Sequence, residues 1–141
     1  GLGDVYKRQE LIRSTFVRSP HAHLISVASN SIDEKFIGKM NDYVMNNLSD
    51  SCLSVESLAE YMNMSVSTLY RKVKAITSLA PNDFIRLCRL KKAAEMLAKG
   101  DLRINEVAES LGFSTTSYFT SCFMKQFGIT PSEFIKLNKN K

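Results

Sequence analysis

At 141 residues, with 44% hydrophobic side chains and no low-complexity run, the chain can form one core-bearing domain, or a domain plus a tail. No apolar run approaches the ~18 residues that cross a bilayer, and the N-terminus lacks a signal-peptide pattern, which argues against membrane contact by this segment and points to the cytoplasm. The formal net charge of +5 leaves room for an anionic partner, and the opening on Gly1 instead of Met leads us to expect a piece of a longer protein.

Residues 1–31 are expected to be a linker or the tail of a missing upstream module. Leu11, Ile12 and Phe16 are spaced for a short helix before Pro20, and residues 19–31 carry the Ser, Asn and small apolar residues of a connection. His21 and His23 form an H-x-H pair, but no third ligand lies at suitable spacing, so they are taken as linker histidines and no metal site is expected. Cys52, Cys88 and Cys122 are odd in number and widely spaced, and all three are expected inside helices as reduced core or near-surface residues.

Ser31-Ile32-Asp33-Glu34 opens the first helix with acids where the helix dipole favours them. Phe36, Met40, Val44 and Leu48 recur every fourth residue, Ile37 and Tyr43 widen the stripe, and Asp33, Asn41 and Asn47 are expected to point elsewhere. This helix should pack behind the next two without touching DNA bases. Within SVESLAEYMNMSVSTLYRKVK, residues 54–74, Val55, Leu58, Ala59 and Met62 fall at i, i+3, i+4, i+7 and bury one helical face. Asn63 tolerates the left-handed conformation that ends a helix, and Ser65 can cap the next. In that second helix Leu69 and Val73 face inward, four apart, while Ser67, Tyr70, Arg71 and Lys74 face out. Helix, tight turn and helix with a polar, cationic outer face is the pattern of a helix-turn-helix DNA reader. Ala80-Pro81 then begins the longest helix, Pro81 to Lys99, whose apolar face includes Phe84, Ile85, Cys88, Ala93, Met96 and Leu97 and which Gly100 ends.

Residues 103–135 restate residues 54–85. At an offset of 49, Val55, Leu58, Ala59, Met62, Asn63 and Met64 meet Ile104, Val107, Ala108, Leu111, Gly112 and Phe113. One extra residue enters the second turn. At an offset of 50, Leu69 and Val73 meet Phe119 and Phe123, and Pro81, Asp83, Phe84 and Ile85 meet Pro131, Glu133, Phe134 and Ile135. Thr130-Pro131-Ser132-Glu133 is a capping box with proline at the first helical position, and Phe134 and Leu137 are expected to close the second core. The expected fold is all-α: two tandem helix-turn-helix subdomains, about seven helices, joined by a long linker helix. The boundaries are 32–80, 81–99 and 101–138 within a domain spanning 32–141.

The run Ile104-Asn-Glu-Val-Ala, Gly112-Phe113, Ser117-Tyr118-Phe119, Phe123, Phe127-Gly128 and Thr130-Pro131 resembles the C-terminal motif of AraC/XylS-type transcription regulators, over residues 33–137. SIDEKF and SYFTSCF are more similar to the output domains of hybrid two-component regulators, in which sensor kinase, receiver and AraC-type domain share one chain. That resemblance implies a bacterial transcription regulator. Its upstream module would be a receiver whose phosphorylation favours dimerisation, its isolated DNA-binding piece a monomer, and RNA polymerase a candidate second partner. It also leaves room for an inner-membrane anchor elsewhere in the parent protein.

Charge distribution supports double-stranded DNA as the partner. Residues 31–64 carry Lys35 and Lys39 against six acids, net −4, whereas residues 65–92 carry seven cations against Asp83 alone, net +6. In the first unit Ser67, Tyr70 and Arg71 match the family's base-contacting positions, and the Arg71 fork suits guanine O6 and N7. Ser65, Lys72, Lys74 and Arg86 are expected at phosphates. The second unit presents Thr116, Ser117, Thr120 and Ser121 to bases and Lys125 to phosphate. It departs from the family pattern, with Ser121 where Arg is frequent and Met124 where a basic residue is frequent. Most base specificity is therefore expected from the first unit. Tyr118, Phe119, Phe123 and Phe127 are read as a core aromatic cluster. No Gly-rich phosphate loop, metal-ligand cluster or Ser/His/acid set supports an enzyme, and no cofactor is expected. The rival is a helical protein-interaction module whose basic face meets an acidic partner. A rod of about 27 Å between the units would set the two reading helices near one DNA turn, about 34 Å, apart.

Overall fold

The computed structural model describes residues 31–50 and 52–139, so the expectations for the N-terminal segment, including His21 and His23, lie outside the described residues. Among those described, seven helices and no strand form: α1 (Ser31–Asn46), α2 (Val55–Tyr61), α3 (Val66–Thr77), α4 (Pro81–Lys99), α5 (Ile104–Ser110), α6 (Thr116–Phe127) and α7 (Pro131–Lys139). They fall into two compact units whose boundary lies inside α4, after Arg89. None of the described helices is long and apolar enough to cross a membrane.

In the first unit α1 packs on α2 and α2 on α3. Helix α1 buries Ile37, Met40, Asn41 and Val44, and Leu48 is buried just beyond its end. Of the every-fourth-residue stripe, Met40, Val44 and Leu48 are thus buried as expected, together with Ile37, and only its first member, Phe36, departs. Four residues advance a helix by about 400°, so a strict period of four drifts off the buried face, whereas i, i+3, i+4, i+7 stays on it. Phe36 accordingly sits half-buried at the edge and Asn41, expected outside, is 8% exposed. Asn47 lies past the last turn, where its side-chain amide donates to the Tyr43 carbonyl at 2.7 Å and satisfies one of the helix's orphan acceptors. Cys52, expected in a helix, is exposed in the connection that follows.

Helix α2 starts with a reciprocal box. Ser54 Oγ accepts from the Ser57 amide at 3.0 Å, and the Ser54 amide donates to Ser57 Oγ at 2.9 Å. Leu58, Ala59 and Met62 are buried as expected, and Asn63 takes φ 58° while the Met64 amide reaches back to the Ala59 carbonyl at 3.0 Å. The second unit repeats this: Val107, Ala108 and Leu111 are buried, Gly112 has φ 79°, and the Phe113 amide meets the Ala108 carbonyl at 3.1 Å. At its start Arg103 replaces Ser54. Arginine has no acceptor, so half of the box survives, with the Arg103 amide donating to Glu106 Oε1 at 2.9 Å. Helix α5 packs on α6 and α6 on α7, which opens with the expected Thr130–Glu133 box.

The two cores differ in chemistry. The first core is mostly aliphatic, with Ile37, Met40, Leu58, Leu69 and Val73 fully buried beside a single fully buried ring, Phe84. The second core is aromatic: Phe119 meets Phe113 at 5.0 Å between centroids, and Phe123 meets Phe127 at 4.6 Å and Phe134 at 5.7 Å, all tilted or edge-on as ring quadrupoles prefer.

A second left-handed pair, not expected from the sequence, follows the reading helices. Ser78 has φ 64° after α3 and Gly128 φ 80° after α6, each amide donating to the carbonyl four residues back. Serine is strained there, and Thr77 holds the turn: its hydroxyl donates to the Val73 carbonyl at 2.7 Å and accepts from the Leu79 amide at 3.0 Å. Gly128→Ala is expected to lower the unfolding free energy by about 1 kcal/mol, and Ser78→Gly to raise it by up to about 1 kcal/mol, both read by urea denaturation. An alanine at 128 without loss would contradict this account.

Candidate nucleic-acid interface

Helix α3 begins where Ser65 Oγ accepts from the Thr68 amide at 3.2 Å. Leu69 and Val73, both 0% exposed, then fix its rotation against α2. With about 100° per residue, Ser67, Tyr70, Arg71 and Lys74 share one sector facing away from that buried pair. All four are exposed, Tyr70 at 47%. One face, as wide as a groove-entering helix needs, therefore carries a hydroxyl, a phenol, a guanidinium and an ammonium.

The basic block is less uniform than its composition suggests. Lys72 lies on the other flank of α3, its Nζ 5.7 Å from the centroid of the Phe36 ring of α1. Arg86 is bound to Asp83 one turn before it on α4, and Lys92 lies 3.5 Å from Glu95. Arg89 is half-buried, and that burial lowers its pKa, yet arginine starts so high that the group stays charged. Arg71 and Lys74, by contrast, are exposed and form no ion pair among the described residues. Arg71 and Lys74 thus place two exposed positive charges, without an ion-pair partner among the described residues, on the outer face of α3.

Helix α6 is the counterpart of α3. Thr115 Oγ1 accepts from the Tyr118 amide at 3.0 Å, and Phe119 and Phe123, both 0% exposed, hold the inner face. Ser117, Thr120, Ser121 and Met124 occupy the sector that Ser67, Tyr70, Arg71 and Lys74 fill in α3. Ser117 and Ser121 are exposed, Thr120 is half-buried and Met124 is 44% exposed. Thr116 is exposed at the first position, beside the sector, and Lys125 is exposed beyond its other edge. Tyr118, expected in the core, is 46% exposed and rests against Phe113 at 6.1 Å, because it lies about 100° from Phe119 on the wheel. Met124, marked in the sequence as a departure from a commonly basic position though not named as a contact, belongs to this face. Its position four residues before Gly128, matching Lys74 before Ser78, is the signal that finds it.

Outside both reading faces, Tyr43 of α1 stacks on Tyr61 of α2 at 4.3 Å and 17°, with Lys39 Nζ 5.3 Å from the Tyr61 centroid. The pair ties α1 to α2. Among the described residues no three His, Cys, Asp or Glu side chains gather where a metal ion would fit.

Residues 58–137 match the family described as helix-turn-helix domain. A region of Histidine kinase P4 of Formosa agariphila is 30% identical over 131 residues, covering 93% of this chain and 10% of the kinase. The chain spans less than half the length of other curated relatives as well. Among solved structures, the C-terminal domain of AraT, a response regulator from Geobacillus stearothermophilus, is 30% identical with a TM-score of 0.66, covering 77% of this chain and 86% of that one. A transcriptional regulator of Chromobacterium violaceum described as having an AraC-type DNA-binding domain shares the fold at 24% identity and TM-score 0.72, covering 77% of this chain and 96% of that one.

Ser65 and Ser67, two residues apart, separate cap from contact. Ser65→Ala is expected to cost about 1 kcal/mol of stability through the lost cap, and Ser67→Ala to stay within about 0.5 kcal/mol of the parent. Thermal unfolding of both variants checks this, and equal losses would show that Ser65 does not anchor α3.

Proposed function

This chain belongs to the AraC/XylS family of helix-turn-helix transcription regulators, and we propose that it is the sequence-specific DNA-binding output module of a bacterial two-component regulator. An upstream signalling module would control it, dimerisation of that module raising the effective concentration of paired domains on paired sites. Similarity to a histidine kinase and to the C-terminal domain of a response regulator supports this context. The protein would work in the cytoplasm, with RNA polymerase as its second partner. It would bind and not catalyse.

The observation that carries the assignment is the pairing of Arg71 and Lys74, exposed and without ion-pair partners among the described residues, on the face opposite Leu69 and Val73. In this proposal Arg71 pairs with guanine O6 and N7, while Ser67 and Tyr70 contact neighbouring base edges. Lys74 grips phosphate, and Ser65, Lys72 and Arg86 add backbone contacts as their present partners permit. Thr116, Ser117, Thr120 and Ser121 meet bases in the second unit and Lys125 its backbone. A hydroxyl contributes less than a bidentate arginine, so the first unit supplies most of the specificity.

A binding selection from random duplex DNA, followed by titration of the selected site at several salt concentrations, tests the proposal. Two short blocks about one helical turn apart are expected, with affinity falling steeply as salt rises. Arg71→Ala should cost about 1–3 kcal/mol and relax preference at one position, and Lys74→Ala should reduce the salt slope by about 1 while leaving preference intact. No binding at low salt would sink the DNA assignment in favour of a protein-interaction module. An unchanged preference in Arg71→Ala beside a scrambled one in Thr120→Ala would reverse the order of the two units.

A further inference from the structure

The outer face of α6 carries no charge. Where α3 presents Ser67, Tyr70, Arg71 and Lys74, α6 presents Ser117, Thr120, Ser121 and Met124. The nearest cation on the same helix, Lys125, lies about 100° round the wheel from Met124. Asparagine, glutamine, arginine and acidic side chains are all missing from the sector, so no bidentate recognition of guanine or adenine and no acceptor for cytosine N4 is available there. Hydroxyls donate or accept equally and so tolerate every base pair. The remaining groups that can tell bases apart are apolar: the methyl of the half-buried Thr120 and, more accessible, the thioether of Met124, 44% exposed, set four residues before the left-handed cap at Gly128. In the major groove the apolar feature that distinguishes one base from the rest is the thymine 5-methyl group.

We propose that Met124 is a specificity-determining contact, and that the second helix-turn-helix unit reads a thymine methyl instead of hydrogen-bonding a purine. This rests on the DNA-binding assignment above. Met124 would cover the methyl with its flexible, polarizable side chain, the Thr120 methyl adding apolar surface beside it while Ser117 and Ser121 accept whichever edge lies opposite. Two consequences follow. The block read by α6 is rich in A·T pairs and lacks an obligatory guanine. The groups that read it add almost nothing to the salt dependence, because they are uncharged and release no phosphate counterion; in the second unit that dependence falls to Lys125.

The test replaces thymines of the selected duplex, one at a time, with deoxyuridine, which keeps the hydrogen-bonding edge and removes only the methyl. At one thymine of the block that Arg71→Ala leaves intact, the wild-type chain is expected to bind about fourfold more weakly, the worth of roughly one buried methyl group. The same substitution should make no difference to Met124→Ala, whereas Met124→Leu should keep the sensitivity. Because Met124 is exposed, none of these variants is expected to lose its fold, and unchanged thermal unfolding verifies that. In a repeated selection, Met124→Arg should replace the thymine preference with guanine. Full affinity for deoxyuridine at every position, or an equal loss in Met124→Ala and the wild type, overturns the inference while leaving DNA binding standing. Failure of the chain to bind any duplex at low salt overturns both.

Discussion

Everything this protein presents outward depends on two pairs of buried side chains set four residues apart, Leu69 with Val73 and Phe119 with Phe123. Each pair is 0% exposed, and each fixes the rotation of its helix about its own axis. A rotation of one residue step, about 100°, would bring Lys72 into the place of Arg71 and carry Tyr70 off the outer face toward the core. The left-handed residues before the reading helices serve the same end. Asn63 and Gly112 reverse the chain within a few residues, so α2 and α5 pack against α3 and α6. Core packing and turn geometry, not the polar residues themselves, decide which polar residues meet a partner.

The two units reach the same geometry through different materials. The first fills its core mainly with branched and straight aliphatic side chains around one ring, Phe84, while the second adds a cluster of tilted phenyl rings to its aliphatic residues. Each aromatic ring buries more area, and ring–ring contacts add about 0.5–1.5 kcal/mol beyond that area. The second unit starts α5 with half a capping box and ends α6 with a glycine that adopts the left-handed conformation without strain. The first has the full Ser54–Ser57 box but spends a serine, buttressed by Thr77, on the same conformation. Local propensity is distributed differently along two copies of one pattern, and the fold tolerates the exchange.

Much of this architecture was legible because the chain states it twice. Repetition at offsets of 49 and 50 identified Asn63 and Gly112 as equivalent turns, and both have positive φ. The α4 bounds followed from Pro81 and Gly100. What escaped was of three kinds. Asn41 was placed outside because polar type outweighed position, although it falls at i+4 from Ile37 on the buried face. Tyr118 was drawn into the aromatic core by composition, although consecutive helical residues diverge too far for both it and Phe119 to point inward. Ser78 gave no sign of its left-handed backbone, because serine there is a cost that local hydrogen bonds of the adjacent Thr77 hydroxyl offset, and residue type alone does not announce them. Charge was the least legible. A run of seven cations could be counted, but its partition could not be, since Asp83, Glu95 and Phe36 each engage one of them through spacing or packing that net charge does not record.

That partition bears on how a duplicated fold divides its labour. A cationic face attracts any duplex at long range, and most of what it gains is blind to sequence. An uncharged face gains little until it is already in a groove, and there its contribution depends almost wholly on fit. Evenly charged units would add nonspecific affinity as fast as specific affinity, leaving the ratio between them little improved. On the proposed DNA-binding reading, with Arg71 and Lys74 on the outer face of α3 and no charge in the matching sector of α6, the first unit would supply long-range attraction together with the Arg71 contact. The second, tethered through the continuous helix α4, would add a test of fit at high effective concentration. Ser121 and Met124, standing where the first unit has Arg71 and Lys74, would trade charge for fit in the second unit, without touching the buried residues on which the fold depends.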